Sequence, residues 1–71
     1  MMEKFWMGQA PKNCDICGDK VTNTFVDGKT KFGPWGFMCP HCHNDAGYGV
    51  GTARGQKYTR QADGRWLKTG G

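Results

Sequence analysis

Cys14-Asp15-Ile16-Cys17-Gly18 and Cys39-Pro40-His41-Cys42-His43 decide how this chain folds. Each holds a C-x2-C pair, and twenty-one residues separate the pairs. Met1 to Asn13 lacks the apolar core of a signal peptide, so an intracellular, reducing compartment is expected. There, four cysteines at this spacing read as a tetrahedral metal site rather than a disulfide framework. Two intervening residues let both sulfurs of a pair face one ion while backbone N–H groups turn back toward them. Gly18 stands where such a turn wants positive φ, and Pro40 pre-sets the second turn. The expected ligands are Cys14, Cys17, Cys39 and Cys42, and four thiolates make a closed, structural Zn²⁺ site. His41 and His43 are alternative donors for a Cys3His site, but the cysteines already complete the tetrahedron.

Working outward, the chain needs such a staple. It has 71 residues, 37% of them hydrophobic, and 12 glycines. Domains below roughly 70–80 residues rarely stand on a hydrophobic core alone. One domain is expected, with knuckles and hairpin over 12–45, a glycine-rich connection over 46–56 and a basic hairpin over 57–69. This length excludes a multi-domain enzyme or a complete dinucleotide-binding sheet. No apolar run approaches the ~20 residues of a membrane span, so no membrane partner is expected.

The intervening sequence reads as small and mainly β. Val21-Thr22-Asn23-Thr24-Phe25-Val26 is rich in strand formers, and Asp27-Gly28 is a two-residue hairpin signal. That turn sets Phe25 opposite Thr30 and Asn23 opposite Phe32. Val21, Phe25 and Phe32 then gather on one face, with Lys29 and Lys31 on the other. Phe37 is expected in the core, Phe5-Trp6-Met7 can add a strand, and no helical period is visible. Gly47-Tyr48-Gly49-Val50-Gly51 matches neither G-x4-G-K-[ST] nor G-x-G-x-x-G, so it reads as a connection rather than a nucleotide loop.

The charge is uneven. The formal net charge is +4, and residues 1–52 balance five lysines against five acids. Residues 53–71 hold Arg54, Lys57, Arg60, Arg65 and Lys68 against Asp63 alone. Four thiolates with one Zn²⁺ add about −2, leaving a dipolar molecule whose positive end is the C-terminal segment. There a three-residue loop at Ala62-Asp63-Gly64 sets Arg60 opposite Trp66 and Tyr58 opposite Lys68. Rings and cations on one strip suit a single-stranded nucleic acid. In the competing arrangement Trp66 packs inward and Arg60 covers it. Arg54, Lys57, Tyr58, Arg60, Arg65, Trp66 and Lys68 are therefore the candidate partner-binding residues.

Two knuckles around a hairpin resemble a zinc ribbon over about residues 12–45, here with an appended C-terminal β-hairpin. More of the chain enters a narrower resemblance. The strings FVDGKTKFGPWGFMCPHCH, GVGTARGQKY and DGRWLKTGG, in that order, resemble short zinc-ribbon proteins of tailed phages. The resemblance implies zinc on the four cysteines and expression in the cytoplasm of an infected bacterium; it implies no activity. Cys39-Pro40-His41-Cys42 also matches the active-site tetrapeptide of periplasmic thiol oxidases, which need a thioredoxin-like surround that is missing here. C-x2-C-G followed by C-P-x-C resembles rubredoxin, making an iron electron carrier a lesser alternative to zinc. The expected function is a non-catalytic structural-zinc module contacting nucleic acid through its C-terminal hairpin. The alternative is an adaptor or inhibitor docking on a host or phage protein through Trp6, Trp35 or Trp66. A closed metal site and the lack of a nucleophile–base set speak against an enzyme and a small-molecule substrate.

Overall fold

The computed structural model describes residues 3–71. Its strands are β1 (Thr24–Lys29), β2 (Trp35–Met38), β3 (Gly55–Arg60) and β4 (Trp66–Gly70), with one short helix, α1 (Pro40–Ala46), between β2 and β3. They form one antiparallel sheet in the order β2-β1-β3-β4. The C-terminal hairpin is therefore not an appendage: β3 pairs with β1 along its length, from Thr24↔Thr59 to Gly28↔Gly55. β3 also starts within the stretch expected to be a connection.

Asp27-Gly28 is not the turn. Both residues lie inside β1, and the chain reverses over residues 30–34, giving Val26↔Met38 and Lys29↔Trp35. Thr30, only 5% exposed, holds that reversal: its hydroxyl donates to the Pro34 carbonyl at 2.8 Å and accepts from the Phe32 N–H at 3.3 Å. Gly28 serves a different need. A Cβ there would lie 2.7 Å from the Arg54 carbonyl oxygen and 2.9 Å from the Gly55 Cα. In a strand, glycine permits this close backbone approach. With the turn displaced, Phe32 leaves the core and stands 72% exposed, whereas Phe25 and Val21 are buried as expected.

Alternation along β1 gives the sheet two packed faces. Phe25 joins Val21 and Tyr58 on one, with Trp6, Ala10, Phe37 and Trp66 packed around them. Rings here meet edge-on, as Trp6 meets Phe25 at 5.3 Å, or stack, as Phe25 does with Tyr58 at 5.3 Å. Val26 faces the other way, into a cluster with Met38, Cys14 and Cys42. Both sheet edges are covered, which blocks edge-to-edge pairing. On β2, Asp15 accepts the Phe37 N–H at 2.8 Å through its carboxylate and donates its own N–H to the Phe37 carbonyl at 2.8 Å. On β4, Trp6 donates to the Trp66 carbonyl at 2.9 Å and Lys68 to the Lys4 carbonyl at 2.7 Å. Phe5-Trp6 thus adds a bridge, Phe5↔Leu67, rather than a strand.

Candidate metal centre and basic surface

The two cysteine pairs reach one point by different local structures. The first is a knuckle: Asn13 and Lys20 bridge beneath it, Cys14 N–H donates to the Asp19 carbonyl at 2.8 Å, and Gly18 closes the turn at φ 79°. The second pair opens α1 instead of forming a matching knuckle. Cys39 is the helix N-cap, its sulfur accepting from the Cys42 N–H at 3.4 Å, and Pro40 fills the first helical position. Proline suits that position because its missing N–H has no helical partner to lose. Cys42 follows one turn in, beside Cys39. A seven-residue helix is too short for a periodic signal, so its capping pattern was the legible mark of it.

The four Sγ atoms lie within 4.8 Å of one another. Cys17 and Cys39, from different arms, are 3.8 Å apart. A tetrahedron with Zn–S of ~2.3 Å has edges of about 3.8 Å, which the Cys17–Cys39 edge matches. All four cysteines are free thiols. Cys14 and Cys42 are buried, Cys39 is half-buried and Cys17 is exposed. The Ile16 N–H points at the Cys14 sulfur at 3.4 Å, matching the bond that Cys42 makes to Cys39. Such bonds fix ligand orientation.

These thiols ionise unequally. Burial opposes the Cys14 thiolate, yet backbone hydrogen bonds from Cys17, Cys39 and Ile16 outweigh it and bring that thiol from 9.0 down to about 6. Burial, reinforced by the sulfurs of Cys17, Cys39 and Cys14, pushes the Cys42 thiol far up. Four adjacent thiolates repel one another without a cation, and a bound dication reverses that balance. The four cysteines are thus positioned to hold a metal ion, in a donor set compatible with zinc. Both histidines have other roles: His41 Nε2 sits 3.3 Å from Asp45 Oδ2, and His43 Nε2 sits 2.9 Å from the Gly49 carbonyl oxygen.

Comparison of the chain with family models, with curated proteins and with solved structures gave no match.

On the C-terminal hairpin the expected register is present, Tyr58↔Lys68 and Arg60↔Trp66. Its rings, however, point into the aromatic core. Tyr58 is 7% exposed and stacked on Phe25, and Trp66 lies 5.0 Å from the Phe25 ring. Tyr58 is thus closed to a stacking base and Trp66 is half-buried against the core, which corrects the open stacking strip expected there. Arg65 is engaged as well, bound to Asp63 at 2.8 Å and lying 4.2 Å from the Phe5 ring. Lys57 lies on the opposite sheet face from Arg60 and Lys68, and Arg54 precedes β3 at its far end. Among the described residues Arg54, Lys57, Arg60 and Lys68 form no ion pair. No helix among the described residues is long and apolar enough to cross a membrane.

Proposed function

We propose that this chain is a non-catalytic module of the zinc-ribbon kind, in which Zn²⁺ on Cys14, Cys17, Cys39 and Cys42 holds together a sheet whose work is binding nucleic acid. One ribbon arm is a knuckle and the other a helical turn. The metal assignment rests on the 3.8 Å spacing between sulfurs of different arms. Four thiolates occupy every position of a tetrahedral ion, leaving none for substrate or water. Metal analysis of purified protein is expected to give one zinc per chain, and a red, iron-loaded protein would overturn that choice.

The nucleic-acid reading is carried by the four cations of residues 53–71 that have no acidic partner among the described residues, since Asp63 is already taken by Arg65. Motif resemblance to the phage proteins supports the same setting, the cytoplasm of an infected bacterium. Affinity for an oligonucleotide is expected to fall steeply with salt as counterions are released. Salt-independent binding, or none at low salt, would remove the reading. A protein-docking adaptor is the second reading, favoured by the half-exposed indole of Trp35; recovery of a defined partner protein after nuclease treatment would favour it.

A further inference from the structure

Three rings left exposed by the fold gather at one end of the sheet. Phe32 is 72% exposed, Trp35 53% and Tyr48 46%. Trp35 lies directly across from Lys29 in the β1–β2 pairing. The Lys29 ammonium stands 5.4 Å from the centre of the Tyr48 ring. Phe32 and Lys31 sit in the adjoining reversal, which Thr30 ties to Pro34 and which Lys31 ties to α1 through a 2.7 Å bond to the Ala46 carbonyl. Single exposed apolar residues are ordinary on a protein surface, whereas three exposed rings at one end of so small a sheet ask for a reason.

We propose that Phe32, Trp35 and Tyr48, together with Lys29 and Lys31, form a stacking platform for single-stranded nucleic acid. It rests on the nucleic-acid reading above and moves the stacking surface from the C-terminal hairpin to the β1–β2 turn. Rings supply π faces for successive bases, and the interleaved ammonium groups meet the phosphates. The Lys29 N–H donates to the Arg54 carbonyl at 2.9 Å, so the basic C-terminal segment begins alongside the platform. Of the acids on adjoining elements, Asp45 is turned to His41, Asp15 accepts the Phe37 N–H beside Gly36, and Asp27 lies two residues back along β1. A single strand fits better than a duplex because a duplex hides the base faces that the rings need.

The test uses metal-loaded protein and a fluorescent thymidine oligonucleotide of about 12 nucleotides, followed by anisotropy at about 50 and about 200 mM salt. Trp35→Ala and Phe32→Ala are each expected to weaken binding by about 5- to 150-fold. Trp35→Phe, which keeps a ring, should retain most of the affinity. Changing Lys29 and Lys31 together to Gln should reduce the salt slope by roughly 0.7 per lysine. Lys57→Gln and Arg60→Gln should leave the ring contribution intact, and metal content and circular dichroism verify each fold. If the ring variants bind like wild type while the hairpin variants weaken, the platform is wrong and the nucleic-acid reading stands. Preference for duplex over single strand also overturns the platform. If wild type binds no oligonucleotide at the lower salt, the reading itself fails and takes the platform with it.

Discussion

Phe25 and Val26 are neighbours in sequence, yet they belong to cores of different kinds. Behind Phe25 lies an aromatic cluster of Trp6, Phe37, Tyr58 and Trp66, whose cohesion is apolar burial and ring packing. Behind Val26 lie Met38 and the sulfurs of Cys14 and Cys42, in a cluster far poorer in carbon. Apolar burial draws the aromatic face together with no ion, but a core of that size is too small to hold so short a chain folded by itself. The sulfur face brings together four thiols that, once ionised, repel one another unless a cation joins them. One strand thus carries an apolar ring cluster on one side and, on the other, cysteines positioned to hold a metal ion. Small chains need such a division when a single core is too small.

Removing the metal tests this division most severely. Chelation, or Cys14→Ser, is expected to remove roughly 10–16 kcal/mol of apparent binding energy and to unfold the chain, read as loss of near-ultraviolet circular dichroism. Retention of a cooperative melt after chelation would show that the aromatic face suffices alone. Acid should act in the same direction. Cys14 has a depressed thiol, so its thiolate contributes fully above its ordinary 9.0 and loses that contribution as pH falls to about 6. A bound dication carries the loss to lower pH, where metal release and unfolding should coincide.

Large-to-small substitutions separate the two faces further. Phe25→Ala is expected to cost about 3–5 kcal/mol in denaturant melts while leaving one metal bound per chain. Met38→Ala, costing about 2–5 kcal/mol, should also speed metal loss to a chromophoric chelator, since Met38 packs with Cys14 and Cys42. Equal metal loss from both variants would make the faces one cooperative unit. Gly28→Ala forces a methyl against the Arg54 carbonyl and Gly55 and should cost about 1–3 kcal/mol by parting β1 from β3. The smallest effect belongs to Asp27→Asn. Burial raises the Asp27 carboxyl, so its charged form opposes folding at neutral pH. Asparagine should stabilise by up to about 0.5 kcal/mol after solvent screening, and the gain should vanish as pH falls through the raised value.

Much of the candidate metal site could be read in the chain itself, because its determinants are local. C-x2-C spacing, Gly18 and Pro40 act within single turns, and both pairs make the N–H···S bonds that such spacing allows. The β3–β4 register was equally legible, set by the loop at Ala62-Asp63-Gly64 with Gly64 at φ 89°. Asp27-Gly28 misled for a physical reason: a glycine that opens a turn and one that admits a neighbouring backbone look identical in sequence. The partner that requires Gly28 is Gly55, twenty-seven residues away.

From that one displaced turn follows the surface of the molecule. Moving the reversal to residues 30–34 carries Phe32 out of the core, sets Trp35 beside Lys29 and leaves these groups open near Tyr48. The pairing of β3 with β1 meanwhile draws Tyr58 and Trp66 against Phe25. The meeting of each cysteine pair and the hairpin register were thus written in short-range spacing, where a few bonds settle the backbone. Which rings pack inward and which face solvent depended on strand pairing between distant segments, where alternation assigns a side chain to a face only after its partner is known.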